Sequence, residues 1–155
     1  MATMPSLIGT HGISPEAEWI ARTGRSERDR LVRANWLPID AAREELGVVW
    51  SECQTANCDG FGAVPVSPDT LRSADLFLDS LPLDLPAPAI GAEPDGQLTL
   101  EWHRSPRHTL SISVSHDGYL HYAGLIGPNR KYGTIAFFGE IPADILRLIE
   151  EVIGR

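Results

Sequence analysis

An α+β fold is what this sequence predicts: N-terminal helices, then a four- to five-stranded antiparallel β-meander packed by a C-terminal helix. Three observations carry it. Up to about residue 81, apolar residues recur at helical spacing. From Leu98 onward they alternate with polar ones, in the period of a half-buried strand. After Pro142 the helical period returns, with Ile145, Leu148, Ile149 and Val152 on one side.

The elements follow in order. Ser14-Pro15-Glu16 has the chemistry of a helix start: a capping hydroxyl, Pro in the first turn and an acid near the positive dipole end. That helix stops at Gly24, and Ser26 caps a second short one. Residues 1–35 are thus expected to be a helical or partly disordered extension, and residues 36–155 a single α+β domain. From Pro38 a longer helix is expected, because Leu37, Ala41, Ala42, Leu46, Val49, Trp50 and Cys53 recur at helical spacing. It should end near Thr55 to Asn57. Asn57, Asp59-Gly60 and Gly62 then favour or tolerate positive φ, so the chain can reverse, with Val64 and Val66 packing on the way. Ser67-Pro68-Asp69 repeats the helix start, and Leu71, Ala74, Phe77, Leu78 and Leu81 share one face of the helix to Ser80.

Four prolines between 82 and 94 give an extended connection. Pro94-Asp95-Gly96 and His116-Asp117-Gly118 both suit three-residue hairpin loops with Gly in the left-handed position. These loops set Ala92 opposite Leu98, Ile90 opposite Leu100, Val114 opposite Leu120 and Ile112 opposite Tyr122. The same logic sets Leu100 opposite Leu110, and across the Gly127-Pro128-Asn129 turn Ile126 is set opposite Lys131. The last strand is expected from Lys131 to Phe138, and the helix from Pro142 should cover the sheet together with the helix at 68–80.

Composition excludes several classes. The chain has 155 residues, 43% hydrophobic and 22% charged, as in ordinary globular proteins. No apolar run approaches the roughly 18 residues of a spanning helix, and the first 30 residues lack a secretory apolar core. No membrane association and a cytoplasmic location are therefore expected. The two cysteines, Cys53 and Cys58, are read as free thiols. The net charge of −8 is uneven: +1 over residues 1–34, −10 over 35–103 and +1 over 104–155. An acidic middle argues against direct nucleic-acid binding, which needs basic surface. It would suit a basic protein partner, or mimicry of a nucleic acid.

No catalytic motif is present. His103, His108, His116 and His121 crowd into nineteen residues, but the expected register sets His103 opposite Arg107 and His121 opposite Ser113. Six residues of strand is about 20 Å, whereas zinc ligands lie about 2 Å from the ion. No metal, cofactor or catalytic residue is assigned. The feature that asks for a function is on the sheet's second face. With Ile126 opposite Lys131, Leu125 meets Tyr132, His121 meets Ala136 and Tyr119 meets Phe138. Tyr119, His121, Leu125, Tyr132 and Phe138 then form a patch that needs a cover: the N-terminal segment, a second copy of the chain, or another protein.

The run Asp59-Gly60-Phe61-Gly62-Ala63 with Pro65, then Ala74, Phe77-Leu78, Leu81-Pro82, Asp95-Gly96 and Leu100-Glu101-Trp102, resembles a family of small uncharacterised bacterial proteins. That family carries a W-D-G-x-G-A segment, and the resemblance spans roughly residues 45–153. Cys58 stands where the family has Trp, so a packing role for that ring does not carry over. The resemblance implies no established activity, only membership of accessory or defence-type gene pairs. The expected function is a non-enzymatic, acidic protein-interaction protein, antitoxin-, immunity- or inhibitor-like. The alternatives are a small enzyme of unknown reaction or an acidic nucleic-acid mimic.

Overall fold

The computed structural model describes residues 38–155. The helices expected before Pro38, and any order in residues 1–35, lie outside the described residues. The elements are α1 (Pro38–Cys53), α2 (Pro68–Asp79), β1 (Ala89–Ala92), β2 (Leu98–Ser105), β3 (His108–Val114), β4 (Tyr119–Ile126), β5 (Asn129–Ala136) and α3 (Ala143–Ile153). The strands form one antiparallel sheet in the order β1-β2-β3-β4-β5, the expected meander.

Alternation decides which face is buried. Leu98, Leu100 and Trp102 of β2, Leu110, Ile112 and Val114 of β3, and Leu120 of β4 are all buried on one face. Against them pack Ala74, Phe77 and Leu78 of α2 and Ile145, Leu148, Ile149 and Val152 of α3. The Phe77 ring sits 5.7 Å from that of Phe137 and 6.5 Å from that of Trp102, within the range of tilted aromatic pairs. Trp102 donates its indole N–H to the Pro86 carbonyl at 2.9 Å, so its polar end is satisfied inside the core. α2 starts as expected, with Ser67 Oγ accepting from the Thr70 N–H. α3 ends at Gly154, in the left-handed conformation at φ 86. α1 buries Ala42 and Leu46, and Arg43 ties it to Asp75 and Asp79 of α2. Ala41 is exposed rather than packed.

The bend after α1 is a tightly bonded loop. Asn57, Gly60 and Gly62 have φ of 62, 77 and 93. Asp59 Oδ1 accepts from the N–H groups of Phe61 (2.8 Å) and Ala63 (3.1 Å), and Asn57 Oδ1 accepts from that of Gly62 at 2.6 Å. Those two N–H donors hold the Asp59 carboxyl below the usual carboxylate range. Val66 packs into the core, but Val64 does not and is 52% exposed. Its backbone serves instead, donating to the Pro94 carbonyl at 2.8 Å and so hooking the bend to the β1–β2 loop.

Two of the four registers follow the Asp-Gly loops as expected: Ala92↔Leu98 and Ile90↔Leu100, then Val114↔Leu120 and Ile112↔Tyr122. The other two are corrected, each by a slip of two residues. Leu100 lies opposite Ile112, not Leu110, because Pro106-Arg107 make a two-residue turn with Ser105 opposite His108. That turn alone would flip the faces. An irregularity between His103 and Ser105 restores them, and His103 pairs with Thr109 rather than Arg107. Similarly, Ile126 lies opposite Asn129, not Lys131. Gly127, at φ 59, followed by Pro128, makes a two-residue turn of the kind with glycine first. The last strand is therefore Asn129–Ala136, two residues earlier than expected.

Candidate binding face of the sheet

α2 and α3 pack on the first face of the sheet; on the second face, Glu101, His103, Ala123, Arg130, Tyr132 and Thr134 are exposed. Three transverse rows build it. The first reads Ala89, Glu101, Ser111, Ala123, Tyr132; the second Gly91, Thr99, Ser113, His121, Thr134; the third His103, Thr109, Leu125, Arg130. Small hydroxyl and methyl side chains fill the middle of the sheet. A depression of about 390 Å³ opens there, lined by Thr109, Ser111, Ala123, Leu125, Arg130 and Tyr132.

The expected site residues are only partly brought together. Tyr132 is 81% exposed and faces Ala123; Leu125 is half-buried between Thr109 and Arg130. His121 is half-buried, its Nδ1 2.9 Å from Thr134 Oγ1. Tyr119 is 49% exposed and faces Ala136 instead of Phe138. From Tyr132 it is four residues along the sheet, about 13 Å. Phe138 does not join the patch. The strand stops at Ala136, Phe137 turns into the core, and Phe138 projects past the sheet, 90% exposed. The expected Leu125–Tyr132 and Tyr119–Phe138 pairs are thus both lost, and two separate tyrosines remain on the face.

The β1–β3 part of this face carries polar residues. They are networked. Glu93 Oε1 accepts from Thr99 Oγ1 and Ser113 Oγ, both at 2.5 Å, and Glu101 Oε2 accepts from Ser111 Oγ at 3.2 Å. At the β5 end of the third row stands Arg130, exposed, with no carboxylate within 4.0 Å among the described residues, whereas Lys131, opposite Gly124, points to the other face. The carbonyl of Arg107, in the β2–β3 turn, accepts from the Gly127 N–H at 2.8 Å. The face therefore carries Glu93 and Glu101 on the β1–β2 side and the single cation Arg130 on β5. The only early signal was alternation itself, since Thr99, Glu101, Ser111 and Ser113 all fall on polar positions.

The other candidate chemistry is sparse. With the corrected register His103 and His121 are four residues apart along β3 rather than six, about 13 Å, still beyond a shared ion. Among the described residues no group of three or more His, Cys, Asp or Glu could hold a metal. Both cysteines are free. A hydrogen bond with Cys58, aided by burial and the nearby charges of Glu52 and Asp59, pushes the Cys53 thiol up to about 11. That favours the neutral thiol, the opposite of an activated nucleophile. At the β3–β4 turn, the Ser115 hydroxyl (2.6 Å) and the Tyr119 N–H (3.0 Å) donate to Asp117 and hold its carboxyl below the usual range. This fixes the loop that presents Tyr119.

No protein-family model matches the chain, and no curated protein and no solved structure matches it. Among the described residues, no helix is long and apolar enough to cross a membrane.

Proposed function

We propose that the protein is a non-enzymatic protein-interaction protein whose working surface is the open face of the sheet. One observation carries the reading: Tyr132, 81% exposed, stands beside a hollow of about 390 Å³ on the face of the sheet turned away from α2 and α3. Tyrosine anchors next to a small-residue depression are the anatomy of a binding hot spot. An antitoxin-, immunity- or inhibitor-like role is the form of this proposal that the sequence resemblance suggests. The mixed charge of the face supports a partner with both signs on its surface, rather than a purely basic one.

A photo-crosslinking aromatic residue in place of Tyr132, compared with the same residue at Glu150 on the outer side of α3, tests the proposal in living cells. Position 132 should give a discrete crosslinked protein product that position 150 does not. Identical patterns from the two positions would overturn the assignment of the face.

A further inference from the structure

We infer that Cys53 and Cys58 form a dithiol site that small-molecule disulfides oxidise to an intramolecular disulfide, clamping the end of α1 to the bend that follows it. The site does not depend on what binds the open face of the sheet.

The two side chains already meet. Cys53 is the last residue of α1, Cys58 lies in the bend after it, and the two share a hydrogen bond. Cysteines can be bridged only when their Cα atoms lie within about 7 Å and their side chains point toward each other. Both are free and half-buried. Their surroundings differ. Cys53 packs against the core, and its carbonyl accepts from the Val66 N–H at 2.8 Å. Cys58 stands between two exposed residues, Asn57 and Asp59, so a reagent can reach it from solvent. Residues 54–57, which join the two cysteines, are all exposed. The last approach of the sulfurs therefore displaces no core side chain.

These surroundings order the chemistry. Cys58, as its thiolate, attacks one sulfur of the reagent, forms a mixed disulfide and expels one thiolate. Cys53 keeps its proton at this stage, held by the hydrogen bond to Cys58, by burial and by the nearby charges of Cys58, Glu52 and Asp59. Once Cys58 carries the mixed disulfide, its sulfur can no longer be an anion, and that part of the hold on the Cys53 proton is gone. Cys53 then loses its proton, attacks the Cys58 sulfur and expels the second thiolate. The protein has given up two electrons and two protons, and the reagent leaves as two thiols. The ring so closed ties α1 to the loop braced by Asn57 and Asp59, which the Val64 N–H hooks to the Pro94 carbonyl. Folding brings the two sulfurs together, so oxidation and folding favour each other.

Equilibration of the full chain in buffers of reduced and oxidised glutathione, folded and in urea, tests this by intact mass. The folded wild type should lose two hydrogens and retain no glutathione. Its equilibrium constant for oxidation should exceed that of the urea-unfolded chain at least about tenfold, or about 1.4 kcal/mol. The oxidised protein should accordingly melt at a higher temperature than the reduced one. Cys53→Ser should stop at the first step, with one glutathione that peptide mapping places on Cys58. The wild-type readouts need no variant, so they decide the matter even where Cys53→Ser fails to fold. A folded chain no easier to oxidise than the unfolded one overturns the inference. So does a glutathione adduct that persists on the wild type, or disulfide-linked pairs of chains as the main product.

Discussion

Gly60 and Gly96 both have positive φ, 77 and 86, yet replacing them should cost different amounts. A Cβ at Gly60 would meet nothing within 4 Å, so Gly60→Ala carries only the left-handed backbone penalty, about 1–2 kcal/mol. A Cβ at Gly96 would lie 2.9 Å from the Pro65 carbonyl oxygen and 3.2 Å from Val64 Cγ1. Relief requires Val64-Pro65 to move away, which strains the 2.8 Å bond from the Val64 N–H to the Pro94 carbonyl. Losing that bond adds about 0.5–1.5 kcal/mol, so Gly96→Ala should cost about 1.5–3.5 kcal/mol in all. Asparagine separates the two causes, because it tolerates the left-handed region but still carries a Cβ. Gly60→Asn should recover much of the loss and Gly96→Asn little of it. Urea unfolding followed by tryptophan fluorescence measures all four variants against the wild type. Equal costs at the two positions, or full rescue by Asn at both, would refute the claim that the bend is clamped onto the β1–β2 loop.

Three further outcomes are expected. With its thiol pushed up to about 11 from the ordinary 9.0, Cys53 should react with iodoacetamide at pH 8 about a hundredfold more slowly than in the unfolded chain; peptide mass mapping showing equal rates would contradict the Cys58 hydrogen bond. The depressed Asp59 carboxyl stabilises the fold above its unfolded value, and that contribution is lost as pH falls through its folded value. Asp59→Asn should therefore lower the melting temperature at pH 7, with the gap to the wild type narrowing as pH falls below the ordinary carboxylate range, and a constant gap would refute this. Dialysis against a strong chelator should leave the melting temperature unchanged, since no group of three or more His, Cys, Asp or Glu among the described residues could hold a metal; one equivalent of retained zinc by elemental analysis would overturn that.

What was legible in the sequence followed from periodicity and capping. Ser67 caps α2, four alternating strands bury one face, and α3 covers it, because a period of two or 3.6 leaves a readable trace in the order of residues. The face assignment survived even where the register failed. Both register errors were slips of two, which keep every side chain on its proper face and so leave the hydrophobic pattern unchanged. Only a slip of one is visible to alternation. Where Asp-Gly fixed the loop, at residues 95–96 and 117–118, the pairing came out as expected. Where Pro106-Arg107 and Gly127-Pro128 make the turn, two-residue geometry and an irregular residue at Arg104 decided it instead.

That slip of two changes the physics of the binding face. In the expected register, Leu125 meets Tyr132 and Tyr119 meets Phe138, two apolar pairs about 20 Å apart along the strands. Burying each such side chain is worth on the order of 1.5–3 kcal/mol, so the cover would be held mainly by apolar area. In the observed register, Leu125 faces Arg130, Tyr132 faces Ala123 and Phe138 lies off the sheet. Both apolar pairs are gone, and the exposed aromatic groups on the face are two tyrosines about 13 Å apart. Less of the affinity can then come from area, and more must come from a partner's charges matched to Glu93, Glu101 and Arg130. A surface of this kind selects its partner by layout more than by hydrophobicity. Its association should therefore weaken steeply with salt, and a single reversed charge at Glu101 should matter more than removing the ring of Tyr119.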